Sequence, residues 1–291
     1  MKEKFVSIIL PTYNRASYLD RAISSVLKQS YSNFELIIVD DASKDNTEEV
    51  VRSFKDERII YIKNPRNLGG AGARNVGIKR AKGSFIAFQD SDDEWHPEKL
   101  KIQMEAFENA EPDVAVVYTA FIRKVGDKEF IVPPPNVKKT EGYIYRELLY
   151  HINFVGTPTA VVRKKALENV GLFDERFPRL QDWDLFLRLA KKYRFKFIKK
   201  PLLTAYDIPG NISSNIDALI KALRLLLGKH YEEIRKDRKL ISKFYQRIGE
   251  ALLTAGRKKE GRKFLIKAFL ANPINPRLAV KTTAALIGKK I

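Results

Sequence analysis

One segment, residues 83–93, limits the possible folds more than any other part of the sequence. Its apolar run Phe85–Phe88 is short and uninterrupted, as expected for a strand that is covered on both faces. Three carboxylates, Asp90, Asp92 and Asp93, follow where the chain would leave a sheet. Crowded carboxylates repel one another unless a cation or hydrogen bonds offset the repulsion, and Mg²⁺ and Mn²⁺ prefer oxygen ligands. The segment therefore predicts a buried strand that ends in a divalent-cation site; the alternative is an aspartate-rich turn that caps the next helix.

Short apolar runs alternate with segments of helical periodicity in the N-terminal part of the chain. The runs 6–10, 34–39 and 59–62 are typical of buried strands, and the segments between them place apolar residues at helical spacing. This alternation predicts an α/β fold with a mostly parallel, Rossmann-like sheet flanked by helices. Further strands are expected near 114–122, 157–162, 195–198 and 202–206, and further helices near 97–109, 142–150 and 182–192.

The chain changes character at residues 209–211, a Pro-Gly-Asn sequence that is typical of a boundary. Beyond it, helices are predicted near 218–227, 240–254, 259–270 and 276–286. We therefore expect two domains, residues 1–210 and a basic helical extension over residues 211–291. The net charge of the chain is +19, and +13 of this lies between Ile216 and the C-terminus. A region this basic attracts anionic lipid, nucleic acid or an acidic substrate.

Polar clusters follow several of the predicted strands: Pro11-Thr12-Tyr13, Asp40-Asp41, the glycine-rich segment 69–74, and the aspartates at 90–93. Because the carboxyl ends of parallel strands lie at one edge of a sheet, we expect these clusters to converge. Asp41 can accept a hydrogen bond from the ring N–H of uracil or guanine, whereas adenine and cytosine present a lone pair there. The alternative role for Asp41 is to cap the turn at Ser43.

Two further features carry weaker signals. The glycine-rich segment, with Gly70 and Arg74, would let the backbone approach a phosphate and let the guanidinium grip its oxygens. The alternative is an ordinary turn, because the spacing is not that of the dinucleotide fingerprint. Asp182 opens a predicted helix, where a carboxylate commonly only complements the helix dipole.

Taken together, these motifs resemble those of family 2 of the inverting nucleotide-sugar glycosyltransferases, which have the GT-A fold. The segments that carry the resemblance, in the order found in the family, are 6–15, 37–47, 67–78, 83–95, 171–175 and 181–188. The resemblance implies that residues 1–210 are a GT-A catalytic domain that moves a sugar from a nucleotide-diphospho-sugar to an acceptor hydroxyl. A UDP-sugar donor is favoured, with a GDP-sugar as the alternative, and the expected cofactor is Mn²⁺ or Mg²⁺.

The resemblance also implies roles for particular residues. Those expected at the nucleotide are Pro11, Thr12, Tyr13, Asp41, Gly70, Arg74, Asp90 and Ser91. Asp41 would contact the base, and Asp92 would bind the metal directly, together with Asp90, in a DxD motif. Asp182 would be the general base, although Gln181 departs from the many relatives that carry an acid before the catalytic aspartate.

Three other classes of protein fit parts of the pattern. A sugar-1-phosphate nucleotidyltransferase would need a glycine- and arginine-rich loop directly after the first strand, where this chain has residues 11–14. A metal-dependent phosphatase would place its nucleophilic aspartate there, and this chain has Pro11 and Thr12. A non-enzymatic basic module that binds nucleic acid or membrane agrees with the charge alone, but no nucleic-acid motif is present and no nucleic-acid partner is expected.

The basic C-terminal helices have two candidate roles. In the first, they dock the enzyme on an anionic membrane surface, where a lipid-linked acceptor would lie. In the second, they only pack on the catalytic domain. The chain has no cysteine, no apolar run long enough to cross a bilayer and no signal peptide at its N-terminus. These features predict a cytoplasmic protein, either free or peripheral on the cytoplasmic face of the membrane.

Overall fold

The computed structural model describes residues 4–134, 136–151, 154–208 and 215–287. The chain divides into two compact units. The first comprises Met1–Glu175 and Asp182–Pro209, and the second comprises Arg176–Gln181 and Gly210–Ile291. The boundary expected at residues 209–211 lies outside the described residues.

A nine-stranded mixed sheet forms the centre of the first unit. Its strands are β1 (Val6–Thr12), β2 (Phe34–Asp40), β3 (Ile59–Lys63), β4 (Phe85–Phe88), β5 (Glu94–Trp95), β6 (Val114–Val125), β7 (Lys128–Val132), β8 (Ala160–Arg163) and β9 (Arg194–Tyr206). Their order is β3-β2-β1-β4-β8-β6-β9-β5, and β7 pairs with β6 outside this path. Strands β1 to β4, β6 and β9 share one direction, whereas β5, β7 and β8 run the other way. The predicted α/β class with a mostly parallel sheet is therefore confirmed.

Helices connect and flank these strands. They are α1 (Ala16–Leu27), α2 (Thr47–Ser53), α3 (Gly69–Arg80), α4 (Lys99–Glu108), α5 (Tyr145–Tyr150), α6 (Lys164–Val170) and α7 (Gln181–Lys192). Helix α1 buries Leu19, Ile23 and Val26 in the cluster that contains the side chains of β1 and β2. Burial of such a stripe is the main force that holds a helix on a sheet.

Helix α3 lies unusually close to the sheet. A Cβ atom on Gly77 would lie only 2.5 Å from Cγ2 of Ile9 in β1 and 3.3 Å from Cγ2 of Val39 in β2. Only glycine allows this approach, because any side chain would meet the methyl groups of the strands. The close contact holds α3 against β1 and β2.

The later part of the sheet differs from the sequence prediction. The two strands expected at 195–198 and 202–206 are one continuous strand, β9, which passes through Pro201. Pro201 is tolerated because the pairing with β6 is irregular there, between Thr119 and Ile122. Strands β5 and β7 were not predicted, and residues 157–159 form a single 3₁₀ turn before β8 instead of a strand. These errors share a cause, since short and irregular strands are defined by their partners and not by local sequence.

The described part of the second unit is helical, as predicted. Its helices are α8 (Ile216–Lys229), α9 (Tyr231–Ile234), α10 (Arg238–Thr254), α11 (Lys258–Ala271) and α12 (Pro276–Leu286). Helices α10 and α11 pack tightly, and a Cβ atom on Gly261 would lie 2.6 Å from Cγ of Leu253. Among the residues that the structure describes, none of the helices combines the length and the apolar character that crossing a bilayer requires.

Candidate active site

The predicted convergence of polar clusters at one edge of the sheet is present in the backbone. Thr12, the last residue of β1, pairs with Asp40, the last residue of β2. The Thr12 carbonyl then accepts a hydrogen bond from the Asp41 N–H (2.9 Å), and the Gln89 N–H, just beyond β4, donates to the Ile9 carbonyl (2.9 Å). Strands β2, β1 and β4 are neighbours in the sheet, so the three segments that follow them lie side by side.

The glycine-rich segment is helical and not a loop. Helix α3 begins at Gly69, so Gly70 and Arg74 are one turn apart on the same helix. Arg74 is only 8% exposed. Its Nη1 donates to the Gly70 carbonyl (3.2 Å), and its Nη2 donates to Oδ1 of Asp90 (2.6 Å). The arginine therefore links the start of α3 to the carboxylates beyond β4.

Three carboxylates crowd the turn after β4. Burial and then the charge of Asp90 raise the pKa of Asp92 to about 6, against the smaller opposing effects of Arg15 and Arg21. Burial, followed by the charges of Asp90 and Asp92, raises the pKa of Asp93 well above its usual range. In Asp93 the opposing effect comes first from a hydrogen bond with the Tyr206 backbone. The ionised forms of Asp92 and Asp93 are therefore disfavoured, first by burial and then by the neighbouring carboxylates.

A divalent cation beside these carboxyls would favour their ionised forms. Among the described residues, no group of three His, Cys, Asp or Glu side chains is arranged to hold a metal ion. Mg²⁺ and Mn²⁺ in nucleotide sites are commonly held by one or two carboxylates, with water and substrate phosphates completing the shell. Asp92 and Asp90 are the residues that would hold such an ion, and the raised pKa of Asp92 would return toward its usual value beside a cation.

Asp41 is buried and its carboxylate is engaged by the start of α3. Its Oδ1 accepts hydrogen bonds from Asn64 Nδ2 (2.8 Å) and the Leu68 N–H (2.9 Å). Its Oδ2 accepts from the Leu68 N–H (3.0 Å) and the Gly69 N–H (2.8 Å). The alternative role considered for Asp41, capping the turn at Ser43, is taken by its neighbour, since the Ser43 N–H donates to Oδ1 of Asp40 (2.8 Å).

The remaining residues expected at a nucleotide lie along the same edge. Pro11 pairs with Val39 inside the sheet, and Thr12 is buried at the strand end. Tyr13 is 43% exposed, which leaves its ring accessible as a surface for a ligand. Ser91 is 8% exposed within the aspartate turn. Thr12 Oγ1 is buried, and among the described residues it has no hydrogen-bond partner.

Asp182 lies in the first turn of α7, and its environment reaches the same cluster. The Trp183 N–H donates to its Oδ1 (2.9 Å), and Trp183 is itself fixed by donating from Nε1 to the Leu148 carbonyl (2.7 Å). Burial raises the pKa of Asp182 above 3.8, its ordinary value. The Trp183 hydrogen bond and the charge of Arg74 oppose that rise, and the charge of Asp90 adds to it. Asp182 therefore belongs electrostatically with the Arg74–Asp90 pair.

Two residues of this site were missed in the sequence. Arg21, on α1, donates from Nη2 to the Asp92 carbonyl (2.5 Å), and its guanidinium lies 3.8 Å from the ring centroid of Tyr206 at the end of β9. Arg15 acts on Asp92 through its charge. Arg21 has no local signal, because an arginine on the polar side of an amphipathic helix is usually a solvated residue. Arg15 directly precedes α1 and lies in the segment 6–15, but no role was assigned to it.

Solved structures share this architecture. The structure of Staphylococcus aureus TarS residues 1–349 in complex with UDP-GlcNAc superposes with a TM-score of 0.72 and 23% sequence identity, covering 97% of this chain and 87% of that one. The sheet and the flanking helices therefore have the GT-A type fold.

The sequence comparisons give the family. Residues 7–171 match the family model "Glycosyl transferase family 2". "Uncharacterized glycosyltransferase MJ1057" of Methanocaldococcus jannaschii is 35% identical over 219 residues, which cover 72% of this chain and 73% of that protein. An Escherichia coli relative, "UDP-Glc:alpha-D-GlcNAc-diphosphoundecaprenol beta-1,3-glucosyltransferase WfgD", is 50% identical over 104 residues, covering 36% of this chain and 41% of that one. The chain belongs to glycosyltransferase family 2, and the protein is a glycosyltransferase.

Proposed function

We propose that the first unit transfers a sugar from a nucleotide-diphospho-sugar to an acceptor hydroxyl, with inversion at the anomeric carbon and with the help of Mn²⁺ or Mg²⁺. The observation that carries this proposal is the cluster at the sheet edge, in which Arg74 pairs with Asp90 beside Asp92 and acts electrostatically on Asp182. The cluster combines a cation-binding turn, a phosphate-binding arginine and a carboxylate with a raised pKa. Those are the groups that such a transfer needs.

A UDP-sugar is the favoured donor, and a GDP-sugar is the alternative. The hydrogen bonds of Asp41 agree with a nucleotide base that carries a ring N–H, because the two carboxylate oxygens of Asp41 share one donor, the Leu68 N–H. Releasing one of these shared hydrogen bonds would free a lone pair for the base. The UDP-GlcNAc bound to TarS and the UDP-glucose in the name of WfgD agree with a uridine donor. Tyr13 and Thr12 would line the nucleoside.

We assign the two halves of the reaction to different residues. Asp92, with Asp90, would hold the cation, which when bound offsets the negative charge of the donor diphosphate. Arg74 would share that task through its Nε–H, which is buried and, in the described part of the chain, has no hydrogen-bond partner. Asp182 would accept the proton of the acceptor hydroxyl, whose oxygen attacks the anomeric carbon from the face opposite the departing diphosphate. A single displacement of this kind inverts the configuration.

For the acceptor, we propose a hydroxyl on a lipid-linked sugar at the cytoplasmic membrane face. The name of WfgD specifies a diphosphoundecaprenol acceptor for that relative. The C-terminal helices carry a large positive excess, which an anionic membrane surface would attract.

A thermal-shift panel tests the donor and the cation together. UDP with Mn²⁺ should raise the melting temperature more than either alone, and more than ADP or CDP with Mn²⁺. At a ligand concentration of about one hundred times Kd, the stabilisation is about 2.7 kcal/mol, or roughly 5–10 °C for a domain of this size. GDP with Mn²⁺ tests the alternative donor. Equal shifts with all four diphosphates would contradict the base-contacting role of Asp41.

The pH dependence of turnover tests the general base. Because the base works only when it is deprotonated and burial raises the pKa of Asp182, kcat should fall on acidification at a pH above 3.8, the ordinary pKa of an aspartate. The profile should be measured with donor and Mn²⁺ saturating, so that titration of the metal-binding turn does not contribute. A kcat that stays constant down to the ordinary aspartate range would speak against Asp182.

A further inference from the structure

The end of the second unit exposes an unusual number of aliphatic side chains. Of the large hydrophobic residues that are exposed in the described part of the chain, half lie between residues 266 and 287. They are Ile266 (38%), Leu270 (65%), Ile274 (82%), Val280 (69%), Leu286 (50%) and Ile287 (63%). Single exposed hydrophobic residues need no explanation, but a concentration in one short segment indicates a binding surface.

These side chains follow the outer faces of two helices. On α11, the exposed residues Lys259, Lys263, Ile266 and Leu270 recur every three or four positions, so they form one narrow stripe. The opposite side of α11 buries Gly261, Leu265 and Ala268.

Helix α12 repeats this arrangement. Val280 in this helix and Ile287, directly after its last residue, are exposed and lie opposite the buried Leu278, Thr282 and Ala285. We call the outer faces of the two helices, with the turn between them, the α11–α12 surface.

The turn between the two helices is held in place, so the exposure of Ile274 is not the result of a loose chain end. Asn275 caps α12 by accepting from the Leu278 N–H (3.2 Å), and its own N–H donates to the Asn272 carbonyl (3.3 Å). Arg238 donates from Nε to the Ala271 carbonyl (3.2 Å) at the end of α11. The structure thus presents an isoleucine that is 82% exposed at the tip of an ordered helical hairpin.

The charge around these aliphatic groups identifies the partner. From Gly261 to the C-terminus the sequence has seven Lys or Arg residues and no Asp or Glu. Helices that lie in a membrane interface combine this composition with exposed aliphatic side chains, because lysine stems reach outward while the apolar groups enter the lipid. A protein partner fits less well, since lysine is depleted at protein interfaces. Nucleic acid would leave the aliphatic side chains without a role, and it is commonly bound through aromatic stacking.

We propose that the α11–α12 surface inserts its aliphatic side chains into the interface of an anionic bilayer, with Lys259, Lys263 and Lys267 over the lipid headgroups. This extends the proposed function, because a lipid-linked acceptor would give the docking its purpose. It differs from simple charge attraction in one measurable respect. Electrostatic binding is lost as salt screens the charges, whereas aliphatic insertion persists.

The test is co-sedimentation of the full chain with vesicles. Wild-type protein should sediment with vesicles of phosphatidylcholine and phosphatidylglycerol, much less with phosphatidylcholine alone, and should stay partly bound at about 0.5 M NaCl, where the Debye length is only a few ångströms. A triple variant, Leu270→Ser, Ile274→Ser and Val280→Ser, should bind at least about tenfold more weakly at every salt concentration. The pair Lys263→Gln and Lys267→Gln should weaken binding chiefly at low salt, by about fivefold per lysine.

A matched control removes exposed hydrophobic side chains from the first unit instead. Phe130→Ser with Ile131→Ser changes two side chains of β7 that are 50% and 61% exposed, and it should leave vesicle binding unchanged. Circular dichroism should show that all variants melt as the wild type does. Vesicle binding that is equal in the triple variant and the wild type would overturn the proposal. So would a triple variant that changes only the oligomeric state in sedimentation velocity, since that result would assign the surface to a second copy of the chain.

Vesicle binding is measured separately from donor binding and turnover. The triple variant should keep its UDP-dependent thermal shift, and it should keep its turnover on a water-soluble acceptor. Failure of the donor shift in the wild type would count against the proposed function, whereas failure of vesicle binding alone would count only against the α11–α12 surface.

Discussion

Asp182→Asn is expected to lower kcat by roughly 10²- to 10⁴-fold, the usual contribution of a general base. The change is nearly isosteric, and the asparagine side-chain oxygen can still accept the hydrogen bond that the Trp183 N–H donates to Oδ1 (2.9 Å). The start of α7 should therefore keep its geometry. Donor binding and the melting temperature should remain close to those of the wild type, because only proton transfer is removed.

The measurement is steady-state turnover with saturating donor and Mn²⁺, together with a donor-binding titration. Asp20→Asn is a suitable control, since Asp20 is an exposed carboxylate on α1. Near wild-type turnover in a correctly folded Asp182→Asn protein would remove the base from the proposed mechanism, and another group would have to take the proton.

Asp92→Asn is expected to abolish the dependence of donor binding on Mn²⁺ and to lower kcat/KM by at least about 100-fold. Loss of residues that only support a metal ligand already costs 10- to 100-fold, so loss of a ligand should cost more. The backbone of the turn should stay in place, because Arg21 binds the carbonyl of residue 92 and not its side chain.

In the absence of metal, the Asp92→Asn variant should be at least as stable as the wild type. A carboxyl whose pKa is raised in the folded state, here to about 6, stabilises the fold at low pH and loses that contribution as the pH rises through that value. At pH 8 the ionised Asp92 is therefore a cost that asparagine removes, and the melting temperature should be equal to or above that of the wild type. Glu105→Gln, on the exposed side of α4, is the matched control. A stability loss together with unchanged Mn²⁺ dependence would show that Asp92 is structural.

The site could be located from the sequence because its parts follow strand ends. The apolar runs that become β1, β2 and β4 are short and clear, and a parallel arrangement places whatever follows them at one edge. This reasoning predicted that Asp41 and the aspartate turn follow neighbouring strands at one edge of the sheet, and the strand order agrees.

Other features could not be predicted because they depend on distant partners. The glycine-rich segment 69–74 indicated a loop, since glycine is a poor helix former, but Asp41 accepts hydrogen bonds from the N–H groups at the start of α3 and a helix forms there. Similarly, Asp41 caps α3 across 27 residues of sequence, through the Leu68 N–H. The role of Arg21 could not be predicted for the same reason, because its partner Tyr206 is far from it in the sequence.

The stacking of Arg21 on Tyr206 connects the end of β9 to the aspartate turn after β4. The Arg21 guanidinium, which donates to the Asp92 carbonyl, stacks on the ring of Tyr206, the last residue of β9. The backbone of Tyr206 also forms a hydrogen bond with Asp93. During synthesis, the aspartate turn would emerge long before its support exists. The contacts of Tyr206 with Arg21 and Asp93 therefore form only after β9 has joined the sheet.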